Sequence, residues 1–242
     1  MSRRRAQILA EMGLAPVWRL RRPLPGEPTS AGKLQDAPAT AASDAPASGL
    51  SRERDIQALD WPALQQRVEG CTDCRLRASC RQTVFGVGDE RASWMLVGEA
   101  PGADEDRLGE PFVGQAGRLL DNMLGALGLA RGTDVYIANV LKCRPPGNRN
   151  PQPDEVARCS PYLLRQIGLI QPKLIVAMGR FAAQTLLNTD ASIASLRGKV
   201  HRYAGVPLVV TYHPAYLLRN LPDKAKAWID LRFAARTIAA AG

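Results

Sequence analysis

Four short apolar runs, Trp94–Val97, Val135–Val140, Leu174–Met178 and Pro207–Thr211, alternate with stretches of helical spacing. Runs that are apolar at nearly every position suit strands buried on both faces. The stretches between them predict helices over Gln115–Leu127, from Asp154 as cap to Ile170, and over Arg180–Leu187. A last helix is expected over Asp223–Ala239. Strands separated by helices do not pair as hairpins. They predict an α/β domain whose mainly parallel sheet, of about four strands, is covered on both faces.

That architecture says where a site would lie. Open parallel sheets bind ligands at the carboxyl ends of their strands. Three polar segments stand there. Gly98-Glu99-Ala100-Pro101 follows the first strand, Asn139 ends the second, and His213-Pro214-Ala215 follows the fourth. Their convergence predicts one site.

The chain ahead of the sheet divides by composition. Residues 1–22 hold one short amphipathic helix at 4–20, with Ile8, Leu9, Met12 and Leu14 on its apolar side. Residues 23–50 are rich in Pro, Ala, Ser and Gly and nearly lack large apolar side chains. Such a segment buries too little surface to fold and reads as a flexible linker. Residues 51–242 form the folded domain. It opens on a helix over Arg52–Glu69, with Ile56, Leu59, Leu64 and Val68 at helical spacing. A helix on a tether suits a partner-binding element.

Charge narrows the partner. The chain has 32 Lys+Arg against 23 Asp+Glu, a net +9. The first sixty residues hold nine of the former and seven of the latter, so most of the excess lies on the folded part. A basic domain fits DNA, RNA or an anionic surface. No apolar run is long enough to span a bilayer. No apolar leader follows Met1-Ser2-Arg3-Arg4-Arg5. A cytoplasmic, monomeric protein without a membrane partner is expected.

Five cysteines are present: Cys71, Cys74, Cys80, Cys143 and Cys159. In a reducing compartment, grouped cysteines are more often metal ligands than disulfides. Cys71 and Cys74 form a tight C-x2-C chelate. Cys143 and Cys159 form a second pair, just past a strand and on the next helix. Four thiolates can hold Zn²⁺ or a [4Fe–4S] cluster, and spacing does not choose between them. Cys80 is left as a free thiol or spare ligand.

The segment Gly98–Leu120 is glycine-rich and acidic. It makes a poor phosphate cradle, and no GxxxxGK[ST] pattern is present, which disfavours a nucleotide triphosphatase. Glu99, Asp104, Glu105 and Asp106 could instead face a developing positive charge or orient water. Phe112 is either a stacking platform for a flat base or a core plug. Of the two histidines, His213 stands at the mouth of the sheet. His201 reads as a hairpin or loop residue without a role.

GEAPGADED, PFVGQAGRLL, NVLKCRPPGNRNP, LIVAMGRFAAQ and VTYHPAYLLR, with the four cysteines, resemble the family 4 uracil-DNA glycosylases. These are the iron–sulfur branch of the uracil-DNA glycosylase superfamily. The resemblance runs from about Cys71 to Leu231 in matching order. It implies a three-layer α/β/α domain and a structural [4Fe–4S] cluster on Cys71, Cys74, Cys143 and Cys159. It implies DNA containing uracil as substrate, base flipping, and hydrolysis to an abasic site.

The resemblance also assigns roles. Glu99 matches the acid facing the sugar, and Glu105 the acid near uracil C5. Phe112 matches the stacking aromatic, Asn139 the amide that reads the base edge, and His213 the histidine that stabilises the departing base. Where other branches of the superfamily carry an Asp, this chain has Ala100, as family 4 members do. Glu99 is therefore the expected water-activating residue. No lysine occupies a matched position, so simple hydrolysis without a Schiff base is expected. The loop LRGKVHRYAG lacks the Arg run of the branch that bonds covalently to the abasic sugar. After His213, Leu217 or Leu218 is the candidate wedge into the base stack, with Arg219 on a phosphate. Lys142, Arg144, Arg149 and Arg180 are further phosphate candidates.

Overall fold

The computed structural model describes residues 47–240; the expected N-terminal helix and nearly all of the expected linker lie outside the described residues. The domain opens on α1 (Ala47–Ala58) and α2 (Trp61–Glu69), where the sequence predicted one continuous helix. The break has a local cause. Asp60 caps α2 by accepting from the Ala63 N–H at 3.0 Å, and Pro62 sits in its first turn, where no N–H is missed. α1 also begins inside the stretch read as linker. A 3₁₀ turn (Arg75–Ala78) follows the first cysteines.

Among the described residues six strands, not about four, build the sheet. They are β1 (Val87–Gly88), β2 (Trp94–Gly98), β3 (Val135–Asn139), β4 (Leu174–Met178), β5 (Val200–Tyr203) and β6 (Val206–Thr211), in the order β1-β3-β2-β4-β6-β5. The four apolar runs form its parallel interior. The two extra strands pair antiparallel at the edges. Neither carries an apolar run: β1 is a two-residue Val-Gly piece, and β5 alternates exposed and half-buried residues. His201 lies on β5, where Nε2 meets the Leu196 carbonyl at 2.8 Å.

The helices are α3 (Ala103–Leu108), α4 (Gln115–Gly125), α5 (Pro153–Ile170), α6 (Arg180–Leu187), α7 (Ile193–Leu196), α8 (Pro214–Arg219) and α9 (Asp223–Ala239). A second 3₁₀ turn covers Pro146–Asn148. α5 starts at Pro153, not on an Asp154 cap. Glu155 reaches back to the Gln152 N–H at 2.9 Å instead.

Strand side chains alternate between two cores. Met95, Val97, Ala138, Ile175, Ala177 and Val210 pack toward α5 and α6. Trp94, Leu96, Ile137, Val176, Met178 and Val209 pack toward α4 and α9. Helices thus cover both faces, as continuous apolar strands require. The chain passes from β2 to β3 on one side and then crosses back over β2 to β4 on the other. The strand order therefore reverses beside β2, and the carboxyl end of the sheet opens a crevice there.

Candidate active site and cysteine cavity

A cleft of about 450 Å³ occupies that crevice. Glu99, Glu105, Phe112, Asn139 and His213 all line it, so the structure brings together every expected catalytic and base-binding residue. Four separate strand ends and loops supply them, which is why no single motif contains the site.

The glycine-rich loop is shaped by close approach. A Cβ on Gly98 would lie 2.4 Å from Asn139 Oδ1 and 2.7 Å from the Phe112 ring. Only glycine leaves room for both groups in the cleft. Glu105 spends its carboxylate on backbone. One oxygen accepts from the Gly102 N–H at 3.1 Å; the other accepts from Val113 at 3.1 Å and Gly114 at 3.4 Å. It ties the start of the loop to its end and so shapes one wall of the cleft.

Phe112 is packed in the core and also lines the cleft. It is buried, yet its ring faces the cleft and stacks on His213 with centroids 5.4 Å apart. Its φ of 56° is a left-handed conformation that costs a bulky residue about 1–3 kcal/mol. Its surroundings over-determine it. Arg131 donates to the Pro111 and Phe112 carbonyls at 2.8 and 2.9 Å and is itself held by Asp121. α4 presses on the same carbonyl through Gly117, where any Cβ would collide. Arg131 was not found from sequence, because it acts on backbone from a turn twenty residues away.

Asn139 ends β3 and is buried. Its Oδ1 is the one buried side-chain oxygen or nitrogen among the described residues without a hydrogen-bond partner. Leaving such an atom dry costs about 1–3 kcal/mol, so its survival at the cleft points to a ligand that donates to it.

His213 caps α8. Its Nδ1 accepts from the Ala215 N–H at 3.1 Å. A neutral ring with Nδ1 accepting carries its proton on Nε2. Burial, helped by Arg219, pulls the imidazole down to about 4. Gly179 makes room behind it, with a φ of 94° and space that a Cβ would fill 2.8 Å from His213 Cβ. Glu99 is half-buried and takes no side-chain hydrogen bond among the described residues. Burial raises its carboxyl, and Arg180 partly offsets this.

Two of the DNA-facing expectations need correction. Leu217 is a core residue at 1% exposure and cannot reach a base stack, whereas Leu218 is exposed. The period of the short helix puts one leucine inward and its neighbour out. Lys142 is fully buried and cannot touch a phosphate. Arg149 lines the cleft but is fixed in a bidentate pair with the buried Glu155. Arg219 lines the cleft, and Arg180 is exposed.

Cys71, Cys74, Cys143 and Cys159 line a second, small cavity together, beside Val68, Leu76 and Leu141. Cys80 is buried nearby but outside that wall. No three potential ligands among the described residues converge at single-ion distance. A cubane differs from an ion here, because each thiolate binds a different iron and the four stand farther apart. The donor set fits such a group. The Lys142 N–H points at Cys159 Sγ at 3.2 Å, and the Tyr162 hydroxyl, which donates to Asp73 at 2.6 Å, lies 3.4 Å from Cys71 Sγ. Burial pushes the Cys159 thiol up to about 12, so it ionises at neutral pH only against a cation.

A sequence model of the uracil DNA glycosylase superfamily matches residues 85–232. A type-4 uracil-DNA glycosylase from Archaeoglobus fulgidus is 48% identical over 161 residues, covering 63% of this chain and 80% of that one. Another from Pyrobaculum aerophilum is 44% identical over 170 residues, covering 67% and 86%. A third from Thermotoga maritima is 44% identical over 165 residues, covering 67% and 85%. With a matching model over more than half its length and relatives covered across most of theirs, the chain belongs to the uracil DNA glycosylase superfamily.

Proposed function

We propose that this protein is a type-4 uracil-DNA glycosylase that hydrolyses the N-glycosidic bond of uracil in DNA and leaves an abasic site. The unpartnered Asn139 Oδ1, in one cleft with the Nε2–H of His213, carries this reading. Uracil offers an N3–H to Oδ1 and an O4 to the Asn139 amide. Cytosine offers the opposite pattern and leaves both groups badly paired, which discriminates far more than a missing methyl.

The target base sits in a stack, so it is flipped into the cleft. Phe112 supplies its π face. The wall tied by Glu105 limits the space that a thymine methyl needs. As the glycosidic bond breaks, negative charge gathers on uracil O2. The Nε2–H of a neutral imidazole stabilises it most in the transition state, in a site sheltered from water. Positive charge gathers on the sugar, and Glu99 is the nearest counter-charge. Bond breaking ahead of water attack needs no strong base, which suits Ala100. Leu218 fills the vacated stack, with Arg219 on a phosphate.

Cys71, Cys74, Cys143 and Cys159 would hold a [4Fe–4S] cluster. When bound, it cross-links the segment before β1, the end of β3 and α5. No step of the reaction passes through it.

The test is single-turnover release from oligonucleotides carrying one uracil, cytosine or thymine, with iron and sulfide analysis of the same sample. Release from uracil alone, an intact abasic strand and about four irons per chain support the reading. Folded protein that releases nothing from uracil overturns it.

A further inference from the structure

Lys142 lies between the two cavities and is unused by the mechanism above. It follows Asn139 by three residues and precedes Cys143 by one. Its side chain is completely buried. Nζ reaches three acceptors: the Asn139 carbonyl at 3.1 Å, the Phe85 carbonyl at 3.1 Å and Gln166 Oε1 at 2.7 Å. Three acceptors and no facing donor match the three N–H bonds of an ammonium. No carboxylate among the described residues pairs with it.

A buried cation without an anion is expensive, and the cost is lowered by negative charge nearby. The cysteine cavity supplies it. The Lys142 backbone N–H points at Cys159 Sγ, and Lys142 is one of the residues that line the same cavity. Four thiolates around a [4Fe–4S] core carry net negative charge.

The backbone here is pinned along its length. Val140 and Leu141 donate to Gly98 and Glu99, and the Lys142 carbonyl accepts from Val84 at 2.7 Å. The ammonium adds the bond that fixes the carbonyl of Asn139 itself. Gln166 joins this to α5, which also carries Cys159. The same amide donates to the Phe85 carbonyl and the Tyr136 hydroxyl.

We propose that Lys142 is a positioning residue that balances the cluster's charge and, from that anchored place, holds Asn139 in register to read uracil. This rests on the cluster reading given above. Lys142→Met keeps the stem and removes the charge. Full-length protein with this change should retain iron and visible absorbance. Its cluster potential should fall, because an electron is harder to add once the neighbouring positive charge is gone. Single-turnover uracil release should slow by about 10–100-fold, with reduced selectivity against cytosine. A merely structural lysine would lower the melting temperature without moving the potential. An unmoved potential or a wild-type rate overturns the proposal. If Lys142→Met does not accumulate folded, Gln166→Met decides. It leaves the charge and removes one acceptor, so slower release at an unchanged potential upholds the proposal and a wild-type rate overturns it. Wild-type protein without iron and sulfide would instead sink the cluster reading, and the charge argument with it.

Discussion

The cleft and the cysteine cavity share one stretch of chain, residues 139–143, and treat polar atoms in opposite ways. At its start, Asn139 Oδ1 is buried with no partner. Three residues on, every donor of the Lys142 ammonium is used. The same contrast divides two carboxylates on one loop. Glu99 faces the cleft with no hydrogen bond among the described residues, while Glu105 satisfies three backbone N–H groups. Groups proposed to meet substrate are left unsatisfied; groups that build the walls are saturated. Fold stability alone would not keep the first kind.

The contrast makes its largest demand at His213. His213→Ala removes the donor aimed at the leaving base and should slow single-turnover uracil release by about 10²–10³-fold. A loss below tenfold would mean that another group meets the departing charge. Next comes the adjacent leucine pair. Leu217→Ala should cost about 2–5 kcal/mol in denaturant unfolding, because it opens a cavity under α8. Leu218→Ala should stay within about 0.5 kcal/mol and instead weaken binding to DNA. Equal stability of the two variants would contradict the burial difference.

Glu105→Gln is a smaller perturbation. The amide presents an NH₂ to backbone donors and leaves at least one N–H unpaired, for a stability loss of about 1–3 kcal/mol. Its excision defect should appear with the loss of stability and include some thymine release. An inactive variant of wild-type stability would make Glu105 a group that touches substrate.

The mildest effect is in the pH profile. An ordinary histidine would titrate near 6.5, but His213 stays neutral down to about 4. Single-turnover rates should therefore show no histidine break at pH 6.5; below that they should fall first as Glu99, whose carboxyl burial raises, takes a proton, and then toward pH 4, where protonation breaks the Nδ1 cap. The sign for stability is separate. Below 6.5 the unfolded chain takes a proton that folded His213 refuses, so this group's contribution declines between about 6.5 and 4 and then levels. A rate break near 6.5 that His213→Ala abolishes would mean that the ring is solvated during the reaction.

Apolar runs of strand length made the parallel interior of the sheet legible, because a strand buried on both faces must be apolar throughout. Polar residues at the ends of those runs made the site legible too, because sheet topology leaves them one place to meet. The edge strands escaped, since half-exposed strands carry no continuous apolar signal. The break between α1 and α2 was written at Asp60 and Pro62 but was outweighed by the helical spacing around it.

By itself the sequence singled out the residues proposed to carry the chemistry: the four paired cysteines, Glu99, Phe112, Asn139 and His213. Their types and their order after strands are properties of the chain. Only the tertiary structure decided how each is used. It turned Leu217 inward and Leu218 out, closed Glu105 onto the backbone, and buried Lys142 between the two cavities. Those outcomes depend on partners distant in the chain, such as Gln166 and Arg131. Hydrogen bonds and burial are settled by neighbours in space, which local spacing does not encode.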